Sequence, residues 1–155
     1  MKGKRRIVLL AFLVIVGTTA CVQKENAPTT APRSELERES ERVVMEQVNA
    51  YNQHDLEAFV ETYAPDARFY AFPDTLISTG HADIRRVFSQ LFPAAPELKA
   101  AVTERVVNGR IVVLKEVVTG GPQGTPTTDT VIYEVVNGKI SRVWFITGGF
   151  AGPQT

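Results

Sequence analysis

The chain has 155 residues, 44% of them hydrophobic and 22% charged, with 17 basic and 17 acidic side chains and a single cysteine. That length fits one compact domain with short appendages and excludes two catalytic domains; the composition excludes a disordered, collagen-like or multi-span membrane chain. Lys2, Lys4, Arg5 and Arg6 precede the first acid, Glu25, so beyond residue 20 there are 13 basic against 17 acidic residues, a net charge of −4. A mildly acidic body lacks the clustered Lys and Arg that nucleic acid requires, so no nucleic-acid partner is expected.

Residues 1–6 form a basic segment, and residues 7–16 (IVLLAFLVIV) an unbroken apolar run followed by Gly17, Thr18, Thr19, Ala20 and Cys21. This is the pattern of a secretory signal over residues 1–20. The alternative is a short membrane anchor, but the run is well short of the ~20 apolar residues that cross a bilayer, and small residues rather than charges follow it. Cys21 has no partner for an intramolecular disulfide. The Thr-Thr-Ala-Cys sequence resembles the lipobox of bacterial lipoproteins, with Thr18 standing where that pattern usually has Leu. The resemblance implies cleavage before Cys21 and lipidation of it. Several acyl chains make a firm anchor, since each buried methylene contributes about 0.8 kcal/mol. Val22, rather than Asp, after the cysteine implies by the same resemblance the outer membrane of a bacterial envelope, facing the periplasm. An incidental cysteine after an ordinary signal peptide is the other reading. Residues 22–33 (VQKENAPTTAPR) are polar and lack apolar periodicity, so residues 21–33 read as a lipidated cysteine and flexible tether.

The folded body is expected over residues 34–148, with a tail at 149–155. Ser34 and Glu37 have the spacing of a capping box for a helix starting at Glu35, with Leu36, Val43, Val44, Val48 and Tyr51 as its apolar stripe. Asp55 is the expected cap of a second helix carrying Leu56, Phe59, Val60 and Tyr63, which Pro65 stops. Residues 67–72 (ARFYAF) read as a strand, followed by a loop from Pro73-Asp74 to Gly80. A third helix carries Ile84, Val87, Phe88 and Leu91, with Pro93 and Pro96 preventing its continuation. Residues 98–107, 110–119, 127–136 and 139–147 are rich in Val, Ile, Thr and aromatics and read as four strands. Asn108-Gly109 and Asn137-Gly138 mark two-residue hairpin turns, and residues 120–126 (GGPQGTP) a longer connection. The order predicts an α+β domain with its three helices packed on a curved, mostly antiparallel sheet.

Residues 50–70 (AYNQHDLEAFVETYAPDARFY), 79–88 (TGHADIRRVF) and 131–145 (VIYEVVNGKISRVWF) resemble, in order and spacing, the nuclear transport factor 2-like or SnoaL-like superfamily, which includes ketosteroid isomerases and polyketide cyclases. The resemblance implies a cone-shaped α+β barrel with an apolar cavity, and dimerisation through the outer sheet face. It implies a catalytic tyrosine on the first helix, an aspartate base late in the first strand and a protonated acid on the penultimate strand. Counting from Asp55, Asp66 and Asn137-Gly138 places Gln47, Ala71 and Thr130 there, none of them able to supply the acid or base, so a steroid isomerase is disfavoured.

The cavity is expected to be lined by Gln47, Tyr51, Tyr63, Phe72, Phe88, Thr130, Ile132, Val143 and Phe145, with Tyr70, Asp74, His81, Arg85, Glu116, Asp129 and Tyr133 as nearby polar groups. If Thr130 and Ile132 face in, Asp129 and Tyr133 face out, and Tyr133 and Trp144 suit a dimer interface. Glu116 interrupts the apolar series Val112, Leu114, Val118 and is the candidate catalytic carboxylate; on a solvated face it merely pairs with a cation. Tyr51 and Tyr63 are core tyrosines or acids. His54 and His81 lack metal-ligand spacing and read as turn or capping residues, so neither metal nor other cofactor is expected. Three functions remain open: an anchored protein binding a small apolar molecule; an enzyme acting by proton abstraction, dehydration or epoxide opening with a carboxylate such as Glu116; and an envelope interaction module whose cavity its own side chains fill.

Overall fold

In the computed structural model, which describes residues 32–147, Ser34 starts the first helix by a reciprocal pair of hydrogen bonds. Its hydroxyl accepts from the Glu37 N–H at 3.2 Å, and the Glu37 carboxylate accepts from the Ser34 N–H at 2.8 Å. These bonds satisfy two of the donors that a helix start leaves open, at the head of α1 (Glu35–Gln53). Val43, Val44 and Val48 are buried as their spacing predicts, whereas Leu36, in the first turn, is exposed. The helix ends at His54 in the left-handed conformation (φ 56°), and one residue later the Asp55 carboxylate accepts from the Ala58 N–H at 3.0 Å to cap α2 (Leu56–Glu61).

Tyr63, expected on that second helix, instead opens strand β1 (Tyr63–Ala71). Pro65, expected as a stop, lies within the strand where its pairing with β6 (Lys139–Thr147) slips between Tyr63 and Arg68. A residue without an N–H is tolerated there because the ladder is already interrupted. The following segment, read as a loop, contains a short edge strand, β2 (Thr75–Thr79), antiparallel to β1; its alternating Thr75, Ile77 and Thr79 are strand formers. Helix α3 (Gly80–Ala94) follows, burying Ile84, Val87, Phe88 and Leu91 and accommodating Pro93 in its last turn.

Strands β3 (Lys99–Asn108), β4 (Ile111–Thr119), β5 (Thr127–Val136) and β6 complete one six-stranded sheet of order β2-β1-β6-β5-β4-β3. Every neighbouring pair is antiparallel except β1 with β6. Asn137 (φ 52°) and Gly138 (φ 69°) both adopt positive φ, as expected. The other hairpin differs: Asn108 pairs with Ile111, so Gly109 and Arg110 are the central residues, and of these Gly109 alone has positive φ. That is the pattern of a type II′ turn.

Helix α1 packs against β3, β4, β5 and β6, and α3 packs against β1 and β2. The sheet curves around α1, so the inward side chains of β4 and β5 meet the aromatic face of the helices. This α+β cone is the architecture expected. Residues 1–31 and 148–155 lie outside the described residues, and with them the expected signal peptide, Cys21, most of the expected tether and the expected tail. Among the described residues no helix is long and apolar enough to cross a membrane.

Candidate functional site

Three helices and five strands line a cavity of about 70 Å³. Helix α1 contributes Gln47, Val48 and Tyr51, adjacent on one helical face; Phe59 of α2 and Tyr63 and Phe69 of β1 continue the wall. Phe88 and Leu91 come from α3, Ala100 from β3, and alternate residues of β4, β5 and β6 close the floor: Glu116 and Val118, then Asp129, Val131 and Tyr133, then Val143 and Phe145. The rings interlock, with Phe59 4.5 Å from Phe88 and 5.2 Å from Tyr63 between centroids.

Two carboxylates break this apolar lining. Glu116 and Asp129 are directly opposite one another across β4 and β5, and both are buried, at 7% and 6% exposure. Like charges in that relation destabilise a sheet. Burial, followed by the charge of Asp129, pushes the Glu116 carboxyl up to about 7, against the opposing pull of the Tyr133 hydroxyl. Burial also raises Asp129, opposed by its hydrogen bond from Thr127 at 3.3 Å. Near neutral pH the Glu116 carboxyl is therefore partly protonated rather than fully ionised.

Three phenols surround the pair. Tyr133 donates to Glu116 Oε1 over a long 3.5 Å, and Tyr63 faces the Gln47 amide. Burial first, then the Glu116 charge, holds Tyr51, Tyr63 and Tyr133 above the usual phenol range, so all three remain proton donors. Two buried acceptors on the cavity wall, Gln47 Oε1 and Asp129 Oδ1, have no hydrogen-bond partner. The arrangement can take up a proton, return it, and donate hydrogen bonds to an oxygen that gains charge.

Of the expected lining residues, Gln47, Tyr51, Tyr63, Phe88, Val143 and Phe145 reach the cavity, and Phe72, Thr130 and Ile132 do not. Phe72 is 57% exposed because β1 ends at Ala71 and the chain turns there toward β2. Thr130 and Ile132 lie on the opposite face of β5 from the buried series Asp129, Val131, Tyr133 and Val135. The alternation of β5 is one residue out of step with the expectation: Asp129 and Tyr133 point inward, and Tyr133 cannot serve an outer interface. A carboxylate, Asp129, thus occupies the wall beside the position assigned to Thr130, and the expectation that the penultimate strand supplies no acid is corrected.

Tyr70 instead stacks on Trp144 on the outer face of the sheet, with centroids 5.7 Å apart. Asp74 is exposed in the β1–β2 turn, Arg85 pairs with Glu57 at 2.7 Å, and the His81 Nε2 bonds the Tyr63 carbonyl at 3.0 Å. His54 bonds the Leu98 carbonyl at 2.9 Å and stacks on Phe92. Among the described residues no group of three or more His, Cys, Asp or Glu could hold a metal ion. A more open groove of about 460 Å³, between α1, α2 and the β5–β6 turn, carries charges that pair with one another: Arg42 with Glu46 at 2.8 Å and Lys139 with Glu61 at 3.8 Å.

The sequence profile of the SnoaL-like domain matches residues 44–143. The chain belongs to the SnoaL-like family. Solved structures repeat the fold. A protein assigned as a polyketide cyclase from Sinorhizobium meliloti is 27% identical, with a TM-score of 0.58 over 67% of this chain and 93% of that one. An uncharacterised cystatin-fold protein from Novosphingobium aromaticivorans is 25% identical, with a TM-score of 0.63 over 69% and 97%. A protein assigned as a ketosteroid isomerase from Kribbella flavida, 24% identical with a TM-score of 0.60 over 77% and 81%, shares the fold. No curated protein matches the chain. The SnoaL-like domain thus has an assigned fold and a cavity whose polar groups are its own.

Proposed function

We propose that this SnoaL-like protein is exported and lipid-anchored through Cys21, binds a small, mainly apolar molecule in its cavity, and moves a proton on it with the Glu116–Asp129 pair. The observation that carries the reading is the buried, facing pair of carboxylates inside an aromatic cavity. Ionised Glu116 would remove a proton from carbon beside a carbonyl, while the hydroxyls of Tyr51, Tyr63 and Tyr133 would stabilise the oxygen that gains charge. The relatives assigned as an isomerase and a cyclase agree with such chemistry. A cavity of about 70 Å³ is below the ~300 Å³ of typical ligand pockets and sets the substrate at a few heavy atoms. The same small volume favours, as a second reading, a non-catalytic envelope module.

Deuterium uptake separates the two. Incubated in D2O with acetone and aminoacetone, the full chain is expected to accelerate exchange beside the carbonyl. Glu116→Gln is expected to lower that rate by about 10²-fold, the usual contribution of a positioned acid or base. Equal background rates for both proteins would leave the non-catalytic module.

The anchor has its own test. In a bacterial host the full chain is expected in the membrane pellet with radiolabelled palmitate attached, and Cys21→Ala in the soluble fraction without label. Label retained by the variant would remove Cys21 as the anchor. Pairing of two copies through the outer sheet face, where Tyr70 and Trp144 stack and Ile132 lies, belongs to the same proposal.

A further inference from the structure

Taking the cavity as a small-molecule site, the two buried side-chain atoms on its wall that lack a hydrogen-bond partner are both acceptors. Gln47 Oε1 and Asp129 Oδ1 are acceptors without partners on side chains more than nine-tenths buried. A buried polar atom left unpaired costs free energy, so each calls for a donor. The facing carboxylates add further acceptor capacity, and no Lys, Arg or His is among the described residues that line the cavity. Elsewhere in the domain carboxylates do find cations, as Glu41 does with Arg105 at 2.8 Å and Glu134 with Arg142 at 2.9 Å. A simple carbonyl ligand could accept from the phenol hydroxyls but would leave these two acceptors and the carboxylates' charge unmatched.

We propose that the ligand of this cavity is a small protonated amine, its N–H groups directed at Glu116, Asp129 and Gln47 and its carbon chain against the rings of Tyr51, Phe59 and Phe88. An ammonium supplies up to three donors and the missing positive charge, and aromatic faces attract cations, more strongly when both are removed from water. The cavity volume limits the amine to a few heavy atoms. For the proton transfer proposed above, this makes the substrate class an amine-bearing small molecule such as an amino ketone.

Binding also has a proton signature. An ammonium beside the pair favours ionised Glu116, so the proton that its raised carboxyl partly retains near pH 7 is released. The other titratable groups facing the pair are Tyr51 from α1, Tyr63 from β1 and Tyr133 from β5, all neutral at pH 7; the lining residues from α3, β3 and β6 do not titrate.

Isothermal titration of the full chain in detergent at pH 7, with propylamine, 1-propanol and propionate in two buffers of different ionisation enthalpy, tests this. Propylamine is expected to bind at least about tenfold tighter than 1-propanol, a preference in the range that cation–aromatic and charge-assisted contacts supply. It should release a fraction of a proton, and propionate should not bind. Asp129→Asn should weaken propylamine about tenfold; if that variant fails to fold, proton release by the wild type decides. Propanol binding as tightly as propylamine, or propylamine binding without proton release, overturns the amine while leaving the small-molecule cavity standing. A cooperatively folded protein that binds none of the three overturns both.

Discussion

Glu116→Gln is expected to stabilise the protein at pH 8 by about 3 kcal/mol, raising its melting temperature by roughly 10 °C, and to leave stability at pH 4 nearly unchanged. The sign follows from the direction of the shift. Glu116 has its carboxyl raised to about 7 from an ordinary 4.5, chiefly by burial. The folded state therefore holds that proton more tightly than the unfolded chain does. The stabilisation is fully present below pH 4.5, and as pH rises from 4.5 to 7 the unfolded chain has lost the proton while the folded state retains it. Each pH unit in that window costs the fold about 1.4 kcal/mol. The raised carboxyl of Asp129 adds to the loss in the same direction. Glutamine keeps the shape without the ionisation, so the variant's stability should fall less steeply with pH. Thermal melts at pH 4, 6 and 8 measure this, and parallel wild-type and variant curves would show that the pair is not strained. A substitution that stabilises the domain while slowing the proposed proton transfer would mark a residue retained for its chemistry.

The features legible in the sequence were those fixed by chemistry within a few residues. Ser34 with Glu37, Asp55, and Asn137-Gly138 each set a cap or turn by their own hydrogen bonds or φ preference, and all three are found. Glu116 was visible because it stands in an apolar alternation that continues on both sides. Asp129, expected near the cavity but facing outward, points inward, and its own strand carries the signal. Asp129, Val131, Tyr133 and Val135 are separated by Thr130, Ile132 and Glu134, and the charged Glu134 marks the outer face. The family's motif, which puts Thr130 inward, is offset by one residue from that alternation, and a one-residue slip exchanges a strand's two faces. The facing of Glu116 and Asp129 is a different matter. Their register depends on how the eight residues 119–126 turn between Val118 and its partner Thr127, and a Gly- and Pro-containing loop of that length has no single geometry. Phe72 and β2 were misread for a related reason: pairing with β1 gives a short segment strand structure that its own sequence only weakly prefers. The cavity's volume, set by ring packing from α1, α2 and α3, is a property of the assembled layers.

Phe59→Ala is expected to cost about 3 to 5 kcal/mol, the range for removing a large buried aromatic side chain. Phe59 is 1% exposed, and its ring meets Tyr51, Tyr63, Phe88 and Phe92 at centroid distances of 4.5 to 6.0 Å. It stands on a six-residue helix whose start Asp55 caps, so α2 holds this ring against the wall but has little further length with which to collapse into a vacancy. The space therefore remains largely open and joins the natural cavity, which Phe59 already lines. Apolar cavities of roughly 150 Å³ stay dry and accept benzene, and a ligand that binds only the folded state at 100 times its Kd stabilises it by about 2.7 kcal/mol. Benzene should thus raise the melting temperature of Phe59→Ala substantially and leave that of the wild type unchanged. A variant within about 1 kcal/mol of wild type would mean that the helices close over the gap and that Phe59 does not set the cavity's size. If benzene restores the variant, benzylamine should bind it more tightly than it binds the wild type, because the new space lies beside the carboxylates that would hold its ammonium.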